Sequence, residues 1–295
     1  MNRQGALEGC PSLTASFSIE PTGVPGRYRA EIPPGWAAPF LPSGGLVSGV
    51  ALRAMAMELA TPVHRLRSST TVFVSKVAEG PVLIDVEVLR RGRRMSQVRA
   101  SIRNEGSDEA GHHLIAAFGE HREGYRLDLS EPPEVSAPDR YAAAPLPPPG
   151  TPSFRPAFLD RLDMRRVRMF MSWEEGWEGG EAEAIRWVRF RRPESDMGRG
   201  IEAFDMLVLA DTMPPALGQY LGPGHRLFHA PSVDLSFHCF ARSRSDWILS
   251  RARMRWADDG YASAEIHLWD ESRQLIAYAT QMMLLRFPDA SELAG

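Results

Sequence analysis

Asp211 is the residue with the clearest chemical potential, because it stands in an otherwise apolar helical segment, Leu-Val-Leu-Ala-Asp-Thr-Met. Burying a carboxylate is costly unless it is hydrogen-bonded, and burial raises its pKa toward the range of a general base. A glycine pair, Gly44-Gly45, begins another apolar helical segment, where bare amide N–H groups can meet a substrate oxygen. Both features also have purely structural interpretations. An Asp in a helix is often a capping or solvent-exposed residue, and Gly-Gly often forms a plain turn.

Other reactive patterns are weaker. His225 and His229 have the i, i+4 spacing of a metal pair, but no Glu lies between them and Gly222-Pro223-Gly224 predicts a loop. The segment Gly-Gly-Leu-Val-Ser-Gly lacks the Gly-Lys-Ser/Thr of a phosphate-binding loop. No Gly-x-Ser-x-Gly turn of a serine hydrolase occurs. We therefore predict neither a metal site nor a nucleophilic serine.

Composition narrows the class of protein. The chain has 295 residues, of which 43% are apolar and 24% charged, enough for one large core or two joined cores. A net charge of -3 argues against binding nucleic acid by bulk charge. The two cysteines, Cys10 and Cys239, support neither a disulfide framework nor a cysteine metal site. Without an apolar signal core or a run long enough to span a membrane, we expect a cytoplasmic protein with no membrane partner.

The elements that position Asp211 occur twice in the chain. Residues 80–118 and 246–281 each give an alternating strand, a glycine turn, a second strand, a polar turn and then Leu-Ile-Ala. Each block follows a shorter strand and, before it, a helix of small residues. This pattern predicts a duplicated domain. Aligned on Leu-Ile-Ala, Gln281 corresponds to Glu120 and Asp211 falls near Arg53, so the first half lacks the same chemistry.

The order of elements predicts an α+β fold, with an antiparallel sheet following each helix. We expect helices near 46–60 and 200–218, with Pro214-Pro215 disturbing the end of the second. Residues 131–156 are rich in proline and have no apolar period, which predicts an extended, semi-rigid linker. The predicted organisation is therefore an N-terminal domain at 1–130, the linker at 131–156 and a C-terminal domain at 157–295.

Nearly the whole chain resembles the acyl-CoA thioesterase II type of double hotdog protein. The resemblance rests on Pro-Ser-Gly-Gly-Leu-Val-Ser-Gly, on Leu-Val-Leu-Ala-Asp-Thr-Met and above all on the block from 246 to 286. It implies two hotdog domains, each an antiparallel sheet wrapped around a central helix, with the two sheets joined side by side as a pseudodimer. Where the family usually has a Gln after the glycine pair, this chain has Leu46.

The resemblance also implies a site. The family's catalytic Asp, Ser or Thr, and Gln match Asp211, Ser232 and Gln281, and the C-terminal domain then carries the catalytic set. Gly44 and Gly45 are implied to bind substrate. A thioester carbonyl needs an activated water and donors for the developing oxyanion, so the implied activity is acyl-CoA hydrolysis by water that Asp211 activates, with no metal or other cofactor.

Three further expectations follow from this resemblance. The acyl chain would lie in an apolar tunnel between sheet and helix, lined by Leu207, Leu209 and Met213 or their neighbours. The arginines between Arg90 and Arg94 would form either a solvated turn or a coenzyme A phosphate site. Exposed sheet edges predict a homodimer or a larger homo-oligomer. Two alternatives stay open: an acyl-CoA or lipid-binding protein without activity, and a hotdog dehydratase, although the dehydratase Gly-Asp-x-Asn-Pro-type segment is missing.

Overall fold

The structure, a computed structural model, describes residues 18–288 apart from 39, 150, 152–155 and 193–196. Cys10 and the N-terminal segment used in the localisation prediction lie outside the described residues. The helices are α1 (Gly44–Leu59), α2 (Ala203–Ala210) and α3 (Pro215–Leu221). The strands are β1 (Ile19–Pro21), β2 (Arg27–Ile32), β3 (Arg65–Phe73), β4 (Gly80–Arg90), β5 (Met95–Asn104), β6 (His112–Gly119), β7 (Leu162–Arg168), β8 (Glu183–Phe190), β9 (Ser232–Cys239), β10 (Ile248–Asp258), β11 (Tyr261–Asp270) and β12 (Leu275–Leu284).

All of these strands form one antiparallel sheet of twelve, in the order β1-β2-β4-β5-β6-β3-β9-β12-β11-β10-β8-β7. The sequence analysis predicted one antiparallel sheet in each half, joined side by side, and the structure has them as one continuous sheet. The halves join where β3 pairs with β9, with Thr70 opposite Ser236 at the centre of the paired segment. Both strands would otherwise be edges with unpaired backbone groups, and their pairing removes two edges at once. The strand order of the second half repeats that of the first in reverse, as a duplicated unit requires.

Helix α1 is apolar almost all round, and most of its residues are buried. It ends at Ala60, which has the left-handed backbone (φ 48°) that commonly terminates a helix, and Pro62 follows. Gly45 and Gly49 lie on the face that packs on α2, where a Cβ atom on Gly49 would approach the Phe204 carbonyl oxygen to 2.8 Å. The small residues therefore let the two helices pack backbone to backbone.

The second helical segment is broken, and the prediction of one helix over 200–218 is wrong. Helix α2 ends at Ala210, and α3 begins at Pro215 after a short turn. Thr212 Oγ1 donates to the Leu209 carbonyl at 2.5 Å, which satisfies one of the open acceptors of the last turn. Pro214 and Pro215 have no amide hydrogen to continue the helix. Asp211 is consequently the residue that ends α2 and does not lie inside a helix.

The proline-rich linker follows the outer face of the C-terminal half of the sheet. Trp187 Nε1 donates to the Ser136 carbonyl at 3.0 Å, and Arg273 Nη1 donates to the Pro133 carbonyl at 2.6 Å. Val135 and Tyr141 pack on a small apolar cluster of that face. The described part of the linker is thus tied down by contacts along its length.

The main core is a single cluster of buried apolar residues that extends through both halves, between the sheet and the helices. Within the described ranges, no helix is long and apolar enough to cross a membrane.

Candidate active site

Asp211, Ser232 and Gln281 meet in one hydrogen-bonded group. Gln281 Nε2 donates to Asp211 Oδ1 at 2.6 Å, and Ser232 Oγ donates to the same oxygen at 3.2 Å. Gln281 Nε2 also lies 2.6 Å from Ser232 Oγ. Asp211 ends α2, Ser232 begins β9 and Gln281 lies on β12, so the helix break and two neighbouring strands hold the group together.

The second oxygen of Asp211 is held from the first half of the chain. Ser43 Oγ donates to Asp211 Oδ2 at 3.0 Å, and the Gly45 amide donates to it at 2.9 Å. The sequence analysis expected the Gly45 amide to be free to meet a substrate oxygen. In the structure this amide is already used, because it donates to the Asp211 carboxylate. Gly44 does line the cavity beside Asp211, and no acceptor for its amide is found among the described residues.

Ser43 is a site residue that the sequence analysis missed. It precedes a helix, where a serine is expected to cap the helix with its own hydroxyl. Here the hydroxyl makes no capping bond and donates to Asp211. Ser-Gly-Gly indicates the start of a helix. Nothing in these residues indicates that the Ser43 hydroxyl binds a residue from the second half of the chain.

The electrostatics of Asp211 combine opposing effects. Burial raises the pKa of Asp211 above its ordinary value, and the hydrogen bonds from Gly45, Gln281, Ser43 and Ser232 counteract the rise. Asp211 stands at the carbonyl end of α2, which disfavours a negative charge, and faces the amide end of α1, which favours one. The carboxylate is therefore positioned and hydrogen-bonded, while its basicity is kept above that of a solvated carboxylate.

The three partners open onto a cavity of about 580 Å³, a size typical of small-molecule sites. Asp211 is partly exposed, and it lines this cavity together with Ser232 and Gln281. The walls are largely apolar and aromatic, and they include Phe73, Phe158, Phe170, Trp173, Trp177 and Phe228. Leu207, Leu209 and Met213, the predicted tunnel residues, are buried in the core and do not line it, whereas Thr212 and Pro214, the neighbours of Met213, do.

Two histidines that the sequence analysis considered for metal binding belong to this cavity wall. His225 and His229 both line it, and the His229 ring packs edge-on against Phe40 at 5.2 Å. In the described part of the chain, no cluster of three or more histidine, cysteine or acidic residues has a metal-binding arrangement. These rings therefore contribute to the aromatic lining.

The arginines near Gly92 do not line the cavity. Arg91 donates to the Leu59 carbonyl at 2.6 Å and to the Glu58 carbonyl at 3.1 Å, so it caps the end of α1. Arg94 pairs with Glu120 at 3.6 Å. Of the two interpretations of this cluster, the described contacts favour the structural turn.

The described residues of the first half form no equivalent group. On β12, Gln281 lies between Leu235 and Ala264; the corresponding place on β6, between Ser69 and Val98, is held by Ala116. The Leu-Ile-Ala alignment, which assigned Glu120 to this place, is thus wrong by four residues. A second cavity, of about 590 Å³, lies beside the other ends of α1 and α2 and is lined by Leu66, Phe118 and Phe204.

The fold defines a hotdog protein of two repeated halves with one hydrogen-bonded Asp-Ser-Gln group. The model of the acyl-CoA thioesterase N-terminal domain matches residues 32–119, and that of the acyl-CoA thioesterase C-terminal domain matches residues 138–285. The chain belongs to the acyl-CoA thioesterase family, and it is a thioester hydrolase. The predicted family membership is confirmed.

Solved structures agree on the fold. A conserved protein with a hotdog fold from Alicyclobacillus acidocaldarius is 18% identical, with a TM-score of 0.78 over 95% of this chain and 100% of its own. An acyl-CoA thioesterase II from Mycobacterium marinum is 20% identical, with a TM-score of 0.71 over 92% of this chain and 97% of its own. A search of the curated proteins found no match.

Proposed function

We propose that this chain hydrolyses acyl-CoA to a free carboxylic acid and coenzyme A, with Asp211 as the general base that activates water. The observation that carries the proposal is a partly exposed carboxylate, fixed by four donors, at the wall of an apolar cavity. The bond between carbonyl carbon and sulfur breaks, water supplies the new C–O bond, and the proton taken by Asp211 passes to the departing thiolate. These steps use side chains and water alone.

The four donors leave Asp211 no acceptor position for water unless one of them moves, since a carboxylate offers about four. We expect the Ser232 hydroxyl to move away from Asp211 and leave its position to water, because its contact of 3.2 Å is the longest of the four. Gln281 Oε1 is buried without a partner, so a water between Gln281 and Asp211 would also satisfy this acceptor. Gln281 would then orient the water that Asp211 deprotonates.

The Gly44 amide is the proposed donor to the oxyanion. It lies at the amide end of α1, next to the Asp211 carboxylate, and it lines the cavity. A backbone N–H at a helix start needs no reorganisation to meet a developing negative charge. Lys76, the only lysine in the chain, is exposed where it lines the same cavity, and its charge suits a coenzyme A phosphate.

Self-association and the pseudodimer arrangement of the halves are parts of the proposal. Val72 and Ile115 lie on neighbouring strands near the centre of the sheet and are 46% and 52% exposed. Apolar side chains exposed together on a sheet favour contact with a second copy. The predicted homodimer or larger oligomer follows from this face.

The test replaces the base. Asp211→Asn removes the negative charge with little change of shape, and we expect hydrolysis to fall by a factor on the order of 10²–10⁴, the usual contribution of a general base. The measurement is thiol release from a panel of acyl-CoA esters of increasing chain length. Asp258→Asn, at the exposed end of β10, is the matched control and should leave the rate unchanged.

Thiol release at the same rate from both variants would reject Asp211 as the base. Ligand binding without turnover in the unmodified protein would favour the non-catalytic alternative. Interconversion of enoyl-CoA and hydroxyacyl-CoA, followed spectroscopically, would favour the dehydratase.

A further inference from the structure

Arg186 lies on the inner face of β8, beneath the break between α2 and α3, and is only 5% exposed. It lines the same cavity as Asp211. Its neighbours on this face of the strand, Ala184 and Val188, belong to the apolar core. A guanidinium in such a position is costly unless its charge is matched.

The protein does not match this charge with an acid. Arg186 Nη2 donates to the Thr212 carbonyl at 2.9 Å and to Thr212 Oγ1 at 2.5 Å, and Nη1 lies 3.4 Å from Met169 Sδ. All three acceptors are neutral, and among the described residues no carboxylate lies within 4 Å of the guanidinium. Burial lowers the pKa of Arg186 to about 10, which still leaves it charged at neutral pH.

Other shielded arginines of the chain have the carboxylate partner that Arg186 lacks among the described residues. Arg53 and Arg192 both pair with Asp205, at 3.3 and 3.7 Å. Arg166, the neighbour of Arg186 across β7 and β8, pairs with Glu174 at 2.6 Å. Arg186 differs from them in facing a cavity, where a ligand can supply the anion.

A helix-capping role explains only part of this arrangement. The bonds to Thr212 place a positive charge at the carbonyl end of α2, which stabilises that end. They use one nitrogen of the guanidinium. Among the residues that the structure describes, the other terminal nitrogen has only the Met169 thioether, a weak acceptor, as its partner.

We propose that the acyl group of the substrate carries a second acidic group, a carboxylate at the end distant from the thioester, which pairs with Arg186. The proposal rests on the thioesterase function proposed above. A methyl-terminated acyl chain would leave the guanidinium without an anion, whereas a carboxylate can accept two parallel hydrogen bonds from it. The substrate class is therefore the coenzyme A thioesters of dicarboxylic acids.

The position of Arg186 indicates a diacid of short or medium length. Thr212, which Arg186 contacts, directly follows Asp211, and consecutive Cα atoms are about 3.8 Å apart. Arg186 and Asp211 therefore lie at neighbouring parts of one cavity wall, which also includes the apolar side chains of Met164 and Met169.

The experiment compares matched pairs of thioesters on the full chain. Succinyl-, glutaryl-, adipoyl- and suberyl-CoA are paired with butyryl-, valeryl-, hexanoyl- and octanoyl-CoA, and kcat/KM is measured by thiol release. At the best length we expect the carboxylate-terminated ester to exceed its methyl-terminated partner at least about tenfold, because a site built for a polar group discriminates against its absence. Arg186→Met should reverse this order, and Arg186→Lys should retain part of it.

Arg189→Met is the matched control, since Arg189 lies on the same strand, pairs with Asp163 and does not line the cavity. It should keep the wild-type ratio of the two kcat/KM values. A loss of stability in Arg186→Met with an unchanged ratio would mean that Arg186 is only structural, and would overturn the proposal. If Arg186→Met does not fold, the wild-type and Arg186→Lys ratios still decide.

The outcomes separate the two proposals. Wild-type protein that cleaves methyl-terminated esters as well as or better than their partners at every length overturns the diacid specificity but leaves the thioesterase function standing. No thiol release from any ester of the panel rejects the thioesterase function itself.

Discussion

At the scale of single residues, the site depends on how strongly Asp211 holds its proton. All four positions around its carboxylate are filled by uncharged donors, so no cation neutralises it. Burial is the largest influence on its pKa and raises it. The carboxylate thus combines fixed geometry with more basicity than a solvated Asp has.

This predicts an acid limb in the pH–rate profile. Only the ionised form of Asp211 can accept a proton from water, so activity is retained above its pKa and lost as the pH falls through it. We expect the midpoint of this loss in kcat/KM to lie above 3.8, the ordinary value for an Asp. The measurement is kcat/KM for one thioester between pH 4 and 8. The residual activity of Asp211→Asn should lack this limb; a limb that persists there belongs to another group.

Ser232, Gln281 and Asp211 could be predicted from the sequence, because a resemblance pointed to each of them. Ser43 and Arg186 could not. In the sequence, Ser43 has the pattern of an ordinary helix cap. Arg186 occupies one position of an alternating strand, and the sequence does not show which elements that strand faces. Residues whose partners are distant in sequence leave little local signal.

At the scale of elements, the site requires that α1 and α2 pack very closely. A Cβ atom on Gly45 would collide with the Leu207 carbonyl and lie 2.9 Å from Asp211 Cβ. Both obstacles belong to backbone or to the base itself, so neither can move without shifting the site. Gly45 is therefore needed for its lack of a side chain as well as for its amide.

Gly45→Ala should accordingly separate the two helices. We expect a loss of about 1–3 kcal/mol in the free energy of unfolding, which is typical of overpacking, and a fall in kcat/KM because Asp211 is displaced. Denaturant unfolding and thiol release measure the two effects. Gly124→Ala is the control, since nothing lies within 4 Å of the added Cβ atom, and it should change neither quantity appreciably. Wild-type stability and activity in Gly45→Ala would contradict the close packing.

The long strands of the first half were among the predictable elements. Alternation in the sequence predicts strands near 80–91 and 94–104, within one residue of the observed limits of β4 and β5, because a half-buried strand shows its period directly. The prolines at 214 and 215 predicted a disturbed helix end, but the full break into α2 and α3 could not be placed because apolar residues continue on both sides of it. The side-by-side joining of the two sheets followed from the resemblance, whereas the strands that make it, β3 and β9, could not be identified, since their pairing joins residues more than 160 positions apart.

At the scale of the whole molecule, one buried histidine links stability to pH. His112 begins β6, is 6% exposed and packs edge-on against Phe73 at 4.8 Å. Burial, with a smaller contribution from His113, lowers its pKa from 6.5 to about 4. The unfolded chain takes up this proton near pH 6.5 and the folded chain only near pH 4, so acidification favours unfolding across this window.

His112→Gln should therefore flatten the pH dependence of stability. Between pH 7 and pH 4 we expect the wild-type protein to lose roughly 3 kcal/mol more unfolding free energy than the variant, from a pKa difference worth 1.36 kcal/mol per unit. Urea unfolding at several pH values gives the comparison. His121→Gln, at an exposed position, is the control and should follow the wild-type curve. Parallel curves for wild type and His112→Gln would contradict the assignment.

The location of Ser43 and Gly45 in one half of the chain, and of Asp211, Ser232 and Gln281 in the other, has a consequence for inheritance. Neither repeat contains the whole hydrogen-bonded group, so we expect that losing either repeat, exchanging it or producing it separately would take the group apart. Joining the repeats in one chain keeps the two sets of residues together at a fixed ratio of one to one. The N-terminal repeat has Ala116 where the C-terminal repeat has Gln281, and it contributes to the shared group through its helix start alone.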